Sequence, residues 1–181
     1  SPRSDNLMLR VVTFDRATQE FHGFKELNKC VLTDYDNTLK QLGSATALYD
    51  GVVNGVDSII KYGQELADQD YSVNAILVVL TDGDDNNSSY TKKTVRDKLA
   101  EAVGEKKLES LVSILVGVNT ADAGIGILLN DFAKEANFTQ YVDISKATVK
   151  ELAKLADFIS RSISSQSSHL NSGGPSKPLA F

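Results

Sequence analysis

Ala75-Ile76-Leu77-Val78-Val79-Leu80-Thr81-Asp82-Gly83-Asp84-Asp85 is the stretch that decides the fold class. An unbroken, partly β-branched apolar run leaves no side for solvent. It reads as a strand buried on both faces of a parallel sheet. Ligands of open α/β sheets gather at the carboxyl ends of the strands. Asp82 therefore stands where a buried strand meets water, with Gly83 to turn the chain and Asp84 and Asp85 to add charge. Oxygen atoms clustered in this way suit a hard cation. Asp and Gly are equally the residues of an ordinary polar turn.

A second segment bears on that choice. Gly43-Ser44-Ala45-Thr46-Ala47-Leu48-Tyr49-Asp50-Gly51 opens a helical pattern whose apolar stripe is Leu48, Val52, Val56, Ile59 and Ile60. Thr46 falls at the start of that helix, where its hydroxyl is either a cap or an oxygen ligand. Outward from these two segments the chain alternates strand and helix patterns. Leu7 to Phe14 reads as a strand, Ala17 to Gln19 as a turn, and Glu20 to Leu27 as an edge strand. Lys92 to Lys107 is helical, Leu111 to Val118 is another buried strand, and Leu128 to Ala136 carries a short helical stripe. Gln140 to Ile144 is a short strand. Thr148 to Glu151 has capping-box form before a last helix through Ile163. Strands alternating with helices predict a mostly parallel sheet covered on both sides.

A Gly-x-x-Thr-x-Leu-x-Asp-Gly segment followed by a buried strand ending in Thr-Asp-Gly resembles the von Willebrand factor A-type domain. The resemblance spans about Leu7 to Ile163. It implies an α/β, Rossmann-like fold: a doubly wound, mostly parallel sheet with one antiparallel edge strand and helices on both faces. It also implies a protein-binding module, not an enzyme, built around a metal-ion-dependent adhesion site. Thr46 and Asp82 are the metal ligands it carries over to this chain. Gly43, Ser44, Gly83, Asp84, Asp85 and Asn86 would form the surrounding partner-binding surface. The expected ion is Mg²⁺, or Mn²⁺ or Ca²⁺, and the expected partner is a protein offering an acidic side chain to the ion.

The family's opening strand, with its Asp-x-Ser-x-Ser metal motif, has no counterpart here. The only acid before the first strand pattern is Asp5, in Ser4-Asp5-Asn6, with no apolar run ahead of it. Because that strand is central in such folds, its absence predicts a gap between Leu7–Phe14 and Ile76–Leu80. Unpaired buried backbone groups cost about 1–3 kcal/mol each, so three arrangements are expected. The chain is an N-terminally incomplete piece, or another chain supplies the strand, or the Leu7–Phe14 strand slides over to pair with the Asp82 strand. With only Thr46 and Asp82 available, the metal site is expected to be weak or absent.

Composition narrows the function further. A net charge of −5 argues against nucleic-acid binding through a broad basic surface. No apolar run is long enough to span a bilayer. Residues 1–163 fit one vWA-like domain, whereas 164–181, rich in Ser, Gly and Pro, reads as a disordered tail. Cys30 is the single cysteine and His22 and His169 the two histidines, which leaves no thiolate zinc site and no well-placed nucleophile–histidine pair. Asn137-Phe138-Thr139 has the form of a glycosylation acceptor, a pattern common by chance.

One rival reading concerns Cys30-Val31-Leu32-Thr33-Asp34-Tyr35-Asp36-Asn37-Thr38-Leu39, which resembles the first motif of haloacid dehalogenase-like phosphatases. There Asp34 would be the nucleophile, Asp36 the acid/base, and Mg²⁺ the counter-charge for phosphate. Thr81 would serve the second motif. A strand ending in paired acids is missing, since Leu111–Val118 runs into Asn119.

Overall fold

The computed structural model describes residues 7–36, 43, 45–104, 108–121, 124–169 and 179–181. Strands β1 (Met8–Phe14) and β2 (Thr18–Glu26) form an antiparallel hairpin. Asp15 closes its turn, accepting the Arg16 and Ala17 amides on Oδ1 at 2.5 and 3.3 Å. The register slips between Leu9 and Val12, so the longer β2 bulges against β1, as edge strands commonly do. Two exposed 3₁₀ turns follow, Leu27–Lys29 and Leu32–Tyr35.

The rest of the chain alternates as its patterning predicts. Helix α1 (Leu48–Ala67) leads to β3 (Asn74–Thr81), α2 (Lys92–Val103), β4 (Ser110–Val118), α3 (Ile125–Glu135), β5 (Gln140–Ile144) and α4 (Val149–His169). β3, β4 and β5 make a parallel sheet in that order, from Asn74 opposite Ser110 to Val118 opposite Ile144. Thr91 caps α2 by accepting the Thr94 amide at 3.2 Å. Thr148 does the same for Glu151 at 3.2 Å, as its capping-box form predicts.

Alternation along the strands sorts the core into two layers. Ala75, Leu77, Val79, Leu111 and Leu115 meet α1, α2 and α3 through Val52, Val56, Leu99, Leu129 and Phe132. Ile76, Val78, Val112, Ile114 and Val116 meet α4 through Leu155 and Phe158. The buried Ser113 breaks the apolar run of β4 at no cost in unpaired groups. Its hydroxyl accepts the Thr139 amide, and its own amide reaches Thr139 Oγ1, both at 3.0 Å. Helices thus cover both faces of the parallel sheet. No described helix is long and apolar enough to cross a membrane.

Three expectations are corrected. Among the described residues the strands form two sheets, not one, because β1 bonds to β2 alone and is not paired with β3. The arrangement in which the Leu7–Phe14 strand slides onto the Asp82 strand is therefore not adopted. The tail boundary at 164 falls inside α4, which runs on to His169. Ser162 and Ser164 stay helical by donating to the Phe158 and Ser160 carbonyls at 2.9 and 3.0 Å. Near the chain's end, Leu179 joins the α4 layer and Phe181 sets its ring edge-on to Phe158, 5.5 Å between centroids.

Helix α1 joins the two sheets. A Cβ on Gly51 would lie 2.8 Å from the Phe14 ring of β1, and one on Gly55 would lie 2.9 Å from Leu77 Cδ1 of β3. Arg10 of β1 donates to Asn54 Oδ1 at 3.0 Å, and Phe24 of β2 stacks on Tyr62 at 4.3 Å. The two glycines are not equivalent. Replacing either by Ala gains up to about 1 kcal/mol of helix propensity. At Gly51 the added methyl presses into Cβ, Cγ and Cδ1 of Phe14, and overpacking of that kind costs about 1–3 kcal/mol. At Gly55 it meets the free end of a leucine that can rotate away. Gly51→Ala should therefore lower the midpoint of denaturant unfolding, and Gly55→Ala should hold or raise it. Equal loss in both variants would show that α1 does not sit on Phe14 in this way.

Candidate functional site

The carboxyl ends of β1 and β3 open onto one cluster of loops. Asp15, just past β1, receives the Gly43 amide on Oδ2 at 3.0 Å, and its carbonyl receives the Ala47 amide at 2.6 Å. Thr46 lies between them. Its amide donates to Asn86 Oδ1 at 2.8 Å, and its carbonyl accepts the amides of Asn86 and Asn87 at 3.0 and 3.2 Å. Asn87 completes the ring by donating its side-chain amide to the Arg16 carbonyl at 2.9 Å. The segment after β3 is thereby tied to the segment before α1 and to the end of β1.

The same loop caps α1 from outside. Helix N-termini carry amides without intrahelical partners, and Ala47 at the cap position has no side chain to offer. Asp85 Oδ1 accepts the Tyr49 amide at 3.3 Å and Ser88 Oγ accepts the Asp50 amide at 3.1 Å. Asp85 Oδ1 also receives the Ser88 hydroxyl at 2.5 Å. Asp50 reciprocates by accepting the Ser89 and Tyr90 amides at 3.0 and 2.9 Å. Carboxylates at this end also complement the helix dipole. Thr46 is therefore not the cap of α1. The capping falls to a loop forty residues downstream of the helix start, and Asp85 and Asn86 are drawn into structural bonds. Burial, and then the Asp84 and Asp85 charges, push the Tyr49 hydroxyl up to about 12.

These bonds leave Thr46 Oγ1 and Asp82 at the surface of the cluster. A Cβ built on Gly83 would lie 3.7 Å from Thr46 Oγ1, an ordinary van der Waals separation, which places the threonine hydroxyl beside the turn after β3. Thr81 Oγ1 fixes the turn by donating to the Gly83 carbonyl at 2.8 Å. Asp84 Oδ1 accepts the Asp85 amide at 2.8 Å, and Asp82 is exposed. Ser44 lies outside the described residues, as do Asn37, Thr38 and Leu39 of the rival motif. Mg²⁺ requires six oxygens in near-octahedral order. Thr46 and Asp82 offer two, one of them neutral, and among the described residues no group of three or more His, Cys, Asp or Glu side chains is placed to hold a metal. The described residues therefore supply only part of a coordination shell.

Sequence reading passed over Asp15, although its signal was there. An acid follows an apolar strand directly at Phe14-Asp15, just as at Thr81-Asp82. It also passed over a second, open cleft of about 520 Å³ at the carboxyl ends of β4 and β5, lined by Thr120, Gly126, Asn130, Tyr141 and Asp143. Thr120 donates its hydroxyl to Asp143 there. The Tyr141 hydroxyl is buried without a partner among the described residues, and burial, then the Asp143 charge, raises it to about 12.

Asp34 lies elsewhere, in the exposed 3₁₀ turn Leu32–Tyr35. It accepts from Lys25 Nζ at 3.2 Å and from the Val31 amide at 3.4 Å. The lysine, above all, holds its carboxyl below the usual range. Asp36 is exposed at the end of the same turn.

No family model matches this chain, and no curated protein matches it. Among solved structures it is similar to an uncharacterized membrane spanning protein from Vibrio fischeri, 14% identical over 85% of this chain and 75% of that one, with a TM-score of 0.38. A likeness at that level carries no argument about fold or function.

The Gly43 and Ala17 amides hold the Asp15 carboxyl below its ordinary value. The sign follows from linkage: a depressed carboxyl contributes fully above its unfolded value of about 3.9, and the contribution is lost as pH falls through the lower folded value. In an NMR titration the Gly43 amide proton should move with a midpoint below about 3.9. Asp15→Asn should abolish that movement. A midpoint at or above the ordinary value would mean that Gly43 is not anchored on Asp15.

Proposed function

We propose that this chain is a protein-binding module of the von Willebrand factor A type, with its functional surface on the loop cluster at Thr46 and Asp82. One observation carries the reading. Reciprocal hydrogen bonds between Thr46 and the Asn86–Asn87 segment hold a threonine hydroxyl beside the turn that follows Asp82. Asp15, Asp50, Asp85, Asn87 and Ser88 are hydrogen-bonded within the cluster around it. The doubly wound arrangement of that family belongs to the same proposal, with β1 and β2 as its antiparallel flank and β3, β4 and β5 as its parallel half. The partner is a protein that presents an acidic side chain. A divalent ion, Mg²⁺ before Mn²⁺ or Ca²⁺, would be shared between that side chain and Thr46 and Asp82. Held by two protein oxygens, it would be bound weakly.

The phosphatase reading has lost its geometric premise. Its nucleophile belongs at the end of a buried strand, and Asp34 stands on an exposed turn bonded to Lys25. No reaction is proposed for this chain.

Thr46→Ala and Asp82→Ala change residues at the ends of elements, where substitutions usually cost within about 0.5 kcal/mol. Both variants should keep the circular dichroism and melting temperature of the parent. Both should lose Mg²⁺-dependent retention on an array of Asp- and Glu-containing peptides. Calorimetry on the parent should give weak Mg²⁺ binding that Asp82→Ala removes. Tight binding that survives Asp82→Ala would place the site elsewhere. Mg²⁺-dependent hydrolysis of an aryl phosphate that disappears with Asp34→Asn would overturn the assignment in favour of the phosphatase.

A further inference from the structure

β4 is buried from Val112 through Gly117, and a glycine there is out of keeping with the valines, leucines and isoleucine around it. Glycine inside a strand marks a place where another group approaches the backbone closely. Here that group is Tyr141 of β5. A Cβ on Gly117 would lie 2.6 Å from the Tyr141 hydroxyl, 2.8 Å from Thr120 Cγ2 and 3.0 Å from Leu129 Cδ1. The tyrosine ring is thus laid over β4, and its hydroxyl comes to rest beside the Thr120 methyl, where both residues line the cleft between α3 and β5. That hydroxyl is buried and has no partner among the described residues. Burial, then the Asp143 charge, keeps its proton on, so it is a donor without an acceptor. A phenylalanine would fill the same space without burying an unpaired group.

Thr120 stands between two claimants for one hydroxyl. It donates to Asp143 Oδ1 and turns its methyl towards Tyr141. Rotation to another staggered χ1 well brings the hydroxyl to the place of the methyl, so Thr120 reaches Tyr141 by leaving Asp143. Asp143 Oδ2 lies 3.3 Å from where a Cβ on Gly126 would be, and the absent side chain keeps the carboxylate open to the cleft. Asn130, one turn further along α3, falls on the same helix face as Gly126 and lines the same cleft. Ile127, 68% exposed, adds an apolar rim.

The chemistry of these walls selects the guest. Asp143 is the only charged group among the described lining residues, so an anion is repelled. Its charge is already met by the Thr120 hydroxyl and by the amino end of α3, whose positive terminus disfavours a cation. A neutral group that both gives and accepts hydrogen bonds fits, and a hydroxyl is such a group. The Asn130 amide offers a second pair of the same roles. We propose that the cleft binds a neutral sugar ring through adjacent hydroxyls on Asp143 and Asn130, with Thr120 yielding Asp143 to the ligand and turning its hydroxyl to Tyr141. Both buried claimants are then paired. The volume of about 520 Å³ falls in the ordinary range of small-ligand sites, and the apolar C–H face of the ring rests on Ile127. This inference goes beyond the adhesion surface and does not depend on it, since no metal and neither Thr46 nor Asp82 takes part.

The test is an NMR titration of the full chain, with EDTA present, against the methyl α-pyranosides of glucose, mannose and galactose. Between them these present cis and trans diols. At least one should bind saturably and shift the amides of Gly124, Gly126, Asn130 and Asp143, leaving those of Thr46 and Asp82 unmoved. Asp143→Asn and Asn130→Ala should each weaken binding by about tenfold, the worth of one hydrogen bond. Tyr141→Phe should weaken it too while holding or raising the melting temperature, a combination that a merely structural tyrosine would not give. Each free sugar run beside its glycoside separates two sources of such a ring. Preference for the free form assigns a free sugar, and equal or better binding of the glycoside assigns the end of a glycan. The inference is overturned if none of the sugars binds, if inorganic phosphate or methylammonium takes the cleft as well as they do, or if Tyr141→Phe binds like the parent. None of these results bears on Mg²⁺-dependent retention by acidic peptides, so the cleft and the adhesion surface stand or fall separately.

Discussion

One helix resting on two strands that, among the described residues, are not paired with each other is the constraint from which the rest of this structure follows. α1 approaches β1 through Gly51, where a Cβ would press into the Phe14 side chain, and β3 through Gly55, where a Cβ would meet only the rotatable end of Leu77. Glycine in a helix interior costs about 1 kcal/mol relative to alanine. At Gly51 the missing Cβ is what lets Phe14 close the apolar layer. The hairpin has little else to lean on. Its residues are half-buried at best, while Val52, Val53 and Val56 of the helix above are almost fully withdrawn from water.

Having placed the strands, α1 also organises the chemistry at their ends. Its first amides find partners in Asp85 and Ser88, and its Asp50 returns the bonds to Ser89 and Tyr90. Loop and helix end therefore order each other, and neither is fully satisfied alone. Asp15, Asp50, Asp84 and Asp85 each accept backbone amides of the loops around them, and Asp85 also accepts one at the positive terminus of α1. Asp82 is the carboxylate on which this internal order makes no demand.

Much of this was legible in the residues. The continuous run of β3 and the one in β4 announced strands covered on both faces, and α4 on one side with α1, α2 and α3 on the other supply the covers. The charged alternation of β2 announced a wet edge, and Thr148 marked the start of α4 correctly. Two local points were decided only by the structure. Thr46 resembled a cap because capping residues are usually neighbours in sequence, whereas here Asp85 and Ser88 arrive from across the fold. Ser164 resembled the start of a tail because serine is an indifferent helix former, yet α4 runs on through it to His169 and its hydroxyl donates to the Ser160 carbonyl.

The sequence by itself determined the elements, because each strand and helix is written in a short-range period of apolar residues that needs no knowledge of distant partners. It determined α/β alternation and the presence of acids at a strand end for the same local reason. Only the tertiary structure decided which strands pair, that the hairpin and the parallel sheet remain separate, and which carboxylates are used internally. Those outcomes depend on backbone hydrogen bonds between residues far apart in the chain, and backbone groups are alike at every position. A side-chain pattern can say that β3 expects cover; it cannot say which strand will provide it.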